Sequence, residues 1–585
     1  MNKPATALFL VLAIGAVRNA AAAEPLPPAS QWIPQEAVIA VEVTRTNDLL
    51  DRAFDPKVIE AVQELPVYRQ QASTPGFKQF LGVVDYLEAR LRVDWPTGIR
   101  KLVGGGVTLA VVPGEGALLV IDAEDGELLE KLHEIVRTFA EAEAANQGQP
   151  DRVRSAEYRG VTGWTFGGDE AHAIVGNRLV VSNKAELLKR VADLRADPSA
   201  KSLATLPGYQ AARQAAGADA SAVAFVNLET LKQHPSVHKV LEGGGMNPLV
   251  SLLFAGVTEA LRASNWLALG VHVDEGAIAL EAAVDAASAD AGAAARFALP
   301  KQAGEGAMPI LAVPRRIAEL SLYRDLHAFY AAKDELFPER TSGLIFFENM
   351  MGIFFSGRDL TEEVLAKTRP EVRFVVAKQE YDPAIGTPRV QIPAVAAVFR
   401  MRDPEKFRMV AEEAWQKALG LINFTRGQQG QPGLILDRPT HGDTKFTTAY
   451  FSSAEIDDRT AIATHFNFRP ALAVFDDYLI LSSTEGLARD LIDAVKSEAA
   501  ATVEPLAETH SVLEVDGAGL AAILGANRDN LVRQNMVDEG HTREQAEAAI
   551  DALLTIAQQL DQLTLRVGAG EGRPQANLEV KLNLP

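Results

Sequence analysis

"ALAVFDDYLILSSTEGLARDLIDAV", Ala471–Val495, is echoed without a gap by "AHAIVGNRLVVSNKAELLKRVADL", Ala171–Leu194. In register, Ala171 meets Ala471, Ala173 meets Ala473, Leu179 meets Leu479, Ser182 meets Ser482, Leu187 meets Leu487 and Asp193 meets Asp493. Each copy reads as strand, two-residue turn, strand, cap and helix. Gly176-Asn177 and Asp476-Asp477 are residue types that tolerate the positive φ of a tight hairpin turn. Ser182-Asn183 and Ser482-Ser483 are placed to cap a helix, with Glu186 and Glu485 at capping-box spacing from Asn183 and Ser482. The helices that follow put Leu187, Leu188, Val191 and Leu194, or Leu487, Leu491, Ile492 and Val495, on one face.

Outward from these units the chain repeats itself in order. "VTLAVV" (107–112) is answered by "EVRFVVAK" (371–378), and "GALLVIDAEDGELLEKL" by "AVAAVFRMRDPEKFRMV". Within the latter pair Asp125, Glu127, Leu129 and Leu132 correspond to Asp403, Glu405, Phe407 and Val410. "SAVAFVNLETL" is answered by "HSVLEVDGAGL", and a closing hairpin pattern ends each half. The second half is expected to open with a strand at Ile310–Val313, as the first does at Ala37–Val43. Val58–Leu91 is helical in pattern, with Phe77, Phe80, Val84 and Leu87 spaced for one buried face. An offset of about 290 residues is far longer than the roughly 20–50 of a solenoid repeat. The fold class expected is therefore α+β, as two similar tandem halves, each mainly antiparallel sheet with helices on one face. Expected boundaries are a signal peptide over 1–23, a linker over 24–36, a first half over 37–284, an Ala/Gly-rich linker over 285–306 and a second half over 307–585.

Lys3, the apolar run Ala7–Val17 and Ala21-Ala22-Ala23 have the order of a secretory leader. Its charged residues are Lys3 and Arg18, so removal takes the net charge of the 585-residue chain from −20 to −22. That balance and the lack of a basic patch exclude nucleic acid as an electrostatic partner. The chain has no cysteine, which removes disulfides, thiolate catalysis and Cys-based metal sites together. After the leader no apolar run is long enough to span a bilayer.

Motifs of catalysis and ligand binding fail one by one. His234 and His238 are spaced for one helix face, but Pro235 lies between them and no Glu follows His234. Ser236-x-x-Lys239 lacks the companion elements of Ser/Lys enzymes. Gly104–Gly106 and Gly243–Gly245 lack dinucleotide spacing and a Walker lysine. Asp476-Asp477 is matched by Gly176-Asn177, so turn chemistry explains both copies where acid/base chemistry explains one. No catalytic, cofactor-binding or metal-ligating residue is assigned, and no cofactor is expected.

"GLIFFENMMGIFFSGRDL", Gly343–Leu360, is the most unusual composition in the chain. Phe346, Phe347, Met350, Met351, Phe354 and Phe355 concentrate aromatic and thioether surface. They read as core packing or as a ligand or partner surface, where Met and Phe adapt to irregular shapes. Arg358-Asp359 either caps a helix from Leu360 or forms a local ion pair.

"FFSGRDLTEEVL", "IPAVAAVFRMRDPEKF" and "HFNFRPALAVFDDYLILSSTEGLARDLID", within about 310–500, resemble a family of exported bacterial proteins of unknown function. The resemblance implies export and an α+β architecture, and no catalytic residue. The expected function is an exported, periplasmic or secreted, non-catalytic binding or scaffold protein of the cell envelope, its partner an unknown protein or apolar ligand. The alternatives are an exported metal-free hydrolase with a site assembled from distant residues, and an apolar-ligand or peripheral membrane binder acting through 343–360.

Overall fold

The computed structural model describes residues 26–64, 66–241, 248–254, 256–274, 276–286, 295–302, 304–337, 342–453, 456, 462–570 and 572–583. The leader expected over 1–23 lies outside them. The chain forms two compact units, one from 26–238 and 264–285, the other from 239–263 and 286–583.

In the first unit ten strands stand among the described residues. They are β1 (Ile39–Val43), β2 (Gly106–Val112), β3 (Gly116–Asp122), β4 (Arg154–Tyr158), β5 (Val161–Thr165), β6 (Ala171–Val175), β7 (Arg178–Ser182), β8 (Ala222–Asn227), β9 (Trp266–Asp274) and β10 (Ala277–Val284). All pairings are antiparallel, in the order β4-β5-β6-β7-β3-β2-β1-β8-β9-β10. Alternate residues of the central strands, among them Ala40, Ala110, Leu118, Val120, Val180, Phe225 and Ala268, share one core with Leu187, Leu188 and Val191 of helix Ala185–Ala196. That is the period-2 burial of a sheet with one covered face. Trp32 and Ile33 belong to the same core. Residues 26–36 are thus packed against the unit, in place of the linker that their prolines predict, because a Trp and an Ile at that point have a large apolar area to bury.

The second unit uses β11 (Arg316–Tyr323), β12 (Thr368–Ala377), β13 (Ala394–Met401), β14 (Ile435–Asp437), a short hairpin of β15 (Thr440–His441) and β16 (Thr444–Lys445), β17 (Thr447–Tyr450), β18 (Ala471–Phe475), β19 (Tyr478–Ser482), β20 (Thr509–Asp516), β21 (Leu560–Gly570) and β22 (Arg573–Leu582). Its ladder runs β14-β17-β18-β19-β13-β12-β11-β20-β21-β22, again antiparallel throughout. The fold class is α+β. The strand expected at Ile310–Val313 is instead β11, a few residues later. Leu311 donates its N–H to the buried carboxylate of Glu319 at 3.0 and 3.1 Å, so a side chain satisfies that backbone group without a ladder. Within 285–306, Phe297 and Ala298 are buried and Phe297 meets Phe329 with ring centroids 5.0 Å apart, so this end of the expected linker is packed. In the first unit, Val84 and Leu87 are buried as their spacing predicts, but Phe80 is exposed on helix Pro75–Leu91.

The paired hairpins are two-residue turns, with Val175 opposite Arg178 and Phe475 opposite Tyr478. Gly176 has φ 61° and Asp476 φ 45°. The serines do not cap the helices: Ser182 and Ser482 stay paired in the sheet. Each closes a tight turn, accepting from and donating to the backbone of Lys184 or Thr484. The helices therefore start later, and in the second unit Thr484 is the cap, accepting from Leu487 N–H at 3.3 Å. A non-glycine residue in the left-handed region costs about 1–2 kcal/mol, while a glycine gives part of this back as unfolded-chain entropy. Asp476→Gly is therefore expected to stabilise the second unit by about 0.5–1 kcal/mol, measured as a higher urea midpoint at unchanged slope. A lower midpoint would show that the Asp476 side chain holds the turn.

Candidate functional site

Helix Ser342–Phe354 carries the Phe/Met stretch. Residues on an α-helix three, four and seven apart share a face, so Phe346, Asn349, Met350 and Ile353 form one side, and Leu344, Glu348, Met351 and Phe355 the other. The second side is the packed one. Leu344 is buried with Tyr330 and Phe337, and Phe355 packs on Val364, Met401, Phe407 and Leu472. On the first side Phe346 is 66% exposed and Ile353 59%, while Met350 is half-buried. Phe347 and Ile345 flank it, both exposed, with Phe347 edge-on to Tyr330 at 6.5 Å; Met351 and Phe354 are half-buried. Sequence reasoning named the stretch but not Ile345 or Ile353. The signal for Ile353 was its i+7 spacing from Phe346.

The charges around this helix pair with one another. Ser356 (φ 59°) and Gly357 (φ 72°) end the helix. Asp359 caps the next turn by accepting from Thr361 and Glu362 N–H at 2.8 and 2.9 Å, and Arg358 turns to Glu413 at 2.9 Å. The cap expected before Leu360 is thus made by Asp359, whereas the ion pair of Arg358 is not local but reaches Glu413 on helix Pro404–Gln428. Glu413, on helix Pro404–Gln428, also accepts from Ser356 and meets Lys417 at 3.1 Å. Hydrogen bonds from Ser356, then Lys417, then Arg358 hold its carboxyl down at about 2. Before the helix, Lys333 meets Glu348 at 3.1 Å, and Tyr330 donates to Glu348 at 2.8 Å. The result is an apolar surface whose bordering charges are already neutralised in pairs.

Helix Pro404–Gln428, packed beside it, leaves Met409 and Phe424 exposed. The first unit does something similar on helices Pro75–Leu91 and Gly126–Asn146, where Phe80, Leu81, Tyr86 and Phe139 are exposed and Tyr86 meets Phe139 edge-on at 5.6 Å. Among the described residues no helix is long and apolar enough to cross a membrane.

The remaining sequence candidates have ordinary surroundings. His234 and His238 are exposed around the start of helix Pro235–Leu241. Gly104 ends helix Trp95–Val103 and Gly106, with φ 130°, opens β2. Gly243–Gly245 lie outside the described residues. Asp476-Asp477 is a turn, with Asp477 accepting from Arg400 at 2.7 Å.

A family described as "Protein of unknown function (DUF3352)" matches residues 5–301, and the chain belongs to that family. The match falls on the first half, whereas the segments that carry the sequence resemblance lie in the second. No curated protein matches the chain. Two solved structures, "Structure of crystal form I of TP0453" and "Structure of crystal form III of TP0453", are similar at 10% identity and a TM-score of 0.22, over 44% of this chain and 79% and 80% of theirs.

Proposed function

We propose that this member of a family without an assigned activity is an exported, non-catalytic binding protein of the bacterial cell envelope. Its working surface is the exposed side of helix Ser342–Phe354, which takes hold of an apolar partner, a membrane surface first. The observation that carries this reading is the helix itself: apolar on both faces, it is packed on one and open on the other. A helix hydrophobic all round is normally enclosed, and exposed clusters of large apolar side chains mark interaction sites. A net charge of −20 opposes approach to anionic lipid, so the surface suited to it is zwitterionic. Attachment would be shallow, with the apolar side chains reaching the acyl boundary from the interface.

Residues 24–585 are expected to co-sediment with phosphatidylcholine vesicles. Burying a Phe or Ile side chain is worth about 1.5–3 kcal/mol, so Phe346→Ser should weaken partitioning by about tenfold or more. The Phe346→Ser/Ile353→Ser pair should abolish it. Protein that stays in the supernatant at all lipid concentrations would overturn membrane attachment. Self-association lost in the same pair on gel filtration would identify a second copy as the apolar partner.

A further inference from the structure

We propose that His133 and His172 form an open, two-histidine site for a divalent transition metal of the copper, nickel and zinc class. His133 lies on helix Gly126–Asn146 and His172 on β6, and their Nε2 atoms approach to 3.1 Å. Two imidazole nitrogens about 2.0–2.1 Å from one metal, at roughly a right angle, stand about 3 Å apart. The pair already has that spacing. His172 is buried and its ring meets Phe166 edge-on at 4.7 Å, while His133 meets Trp164 at 5.3 Å. These rings hold the imidazoles in place. His133 is only half-buried, which leaves solvent on one side.

The second unit supplies an independent reason to regard the pair as more than packing. Counted from the N-caps Asp125 and Asp403, His133 stands where Ala411 stands. In the matching hairpins, His172 stands opposite Val181 as Leu472 stands opposite Leu481. Ala411 and Leu472 belong to one apolar cluster. The ladder therefore closes at this point with apolar side chains alone, and the first unit places two metal-ligating groups there instead.

Burial holds both imidazoles below their ordinary range, His172 at about 4, so neither is an imidazolium at neutral pH. In the metal-free chain the two Nε2 atoms share a hydrogen bond, so one of them carries a proton, and a metal bound between them requires that imidazole to hold its proton on Nδ1 instead. Among the described residues no group of three His, Cys, Asp or Glu side chains could hold a metal. The remaining positions fall to water or to a small ligand from outside. Arg137, whose guanidinium lies 5.3 Å over Trp164, opposes a cation nearby. Copper(II), which takes such nitrogen sites most avidly, is favoured over nickel and zinc by that affinity order, since the repulsion from Arg137 is the same for all three.

The test titrates the full chain with copper(II), nickel(II) or zinc(II) chloride in a non-coordinating buffer. It is read by calorimetry and by quenching of Trp164 fluorescence, assigned with Trp164→Phe. Copper(II) should bind one equivalent and quench Trp164. His133→Ala and His172→Leu, which reproduce the residues of the second unit, should each lower the affinity at least tenfold with an unchanged circular dichroism spectrum. His133→Gln, on the half-exposed ring, serves where either variant unfolds. Unchanged affinity in folded variants, or wild-type protein that leaves Trp164 unquenched, would overturn the site.

Discussion

Arg324→Met is expected to lower the stability of the second unit by about 3–5 kcal/mol. Arg324 is 1% exposed. Its Nε donates to Leu252 O at 2.8 Å, Nη1 to Tyr323 O at 2.7 Å and His510 O at 3.0 Å, and Nη2 to Leu253 O at 3.0 Å and Ser511 Oγ at 2.9 Å. None of these acceptors is charged. Two of them, Leu252 and Leu253, end helix Pro248–Leu253, where carbonyls lack helical partners and a cation is favoured. The guanidinium thus joins that helix to the end of β11 and to β20. Methionine fills much of the space but leaves four carbonyl oxygens without this donor, while Ser511 Oγ keeps His510 Nδ1 at 2.9 Å. Each buried oxygen left unpaired costs about 1–3 kcal/mol, offset in part because the desolvation of the guanidinium is removed with it. Arg324→Lys should recover part of the loss, because an ammonium brings three donors and no fork. Urea unfolding gives the magnitude, and hydrogen exchange of Pro248–Leu253 gives the place. A loss below about 0.5 kcal/mol would mean that water satisfies the carbonyls.

The same cluster sets an acid limit. Burial, and then the charge of Arg324, push His510 down to about 3. The unfolded chain takes up that proton near its ordinary pKa of about 6.5, so the stability conferred by a neutral His510 is complete above that pH. It is lost as pH falls towards 3, at up to about 1.4 kcal/mol per unit. In Arg324→Met the fall should be shallower, since the charge is gone and burial remains.

Most strands were legible because alternation is written locally, but their order in the sheet was not, because it depends on pairings between segments far apart in the chain. The hairpin turns could be read from Gly176-Asn177 and Asp476-Asp477 because the chain supplies that pattern twice. Cap positions could not, because whether Ser182 stays in the sheet depends on Leu118, its partner across the ladder. The linker reading of 26–36 failed on composition: prolines describe the backbone, and the burial of Trp32 depends on a core assembled far along the chain. The Phe/Met stretch was visible as composition, but which of its sides is open was decided by the packing of Leu344 and Phe355. His133 and His172 are 39 residues apart and form no motif. Their signal was a difference between copies, histidine against Ala411 and Leu472, within segments otherwise matched.

Such differences between copies also decide how much a charge is worth. Asp122→Ala is expected to cost the first unit about 3–5 kcal/mol. Arg178 is 2% exposed and donates to both oxygens of Asp122 at 2.6 and 2.9 Å and to Pro27 O at 2.8 Å, with its guanidinium 4.4 Å over Trp32. Without Asp122 the cation stays buried with a carbonyl and a ring. Asp122→Asn, which keeps one acceptor, should cost about half as much. In the second unit Tyr478 takes the place of Arg178 and Arg400 that of Asp122. Arg400 pairs with Asp477 at 2.7 Å, but its side chain is 25% exposed. Asp477→Ala leaves a cation that water can reach, so it should cost no more than about 1 kcal/mol. The two Arg–Asp pairs stand at the same end of the two ladders, with the arginine on β7 in the first unit and on β13 in the second, and they differ in the burial of that arginine. Equal losses in Asp122→Ala and Asp477→Ala, measured by urea unfolding at neutral pH, would mean that desolvation of Arg178 is not what makes its pairing necessary.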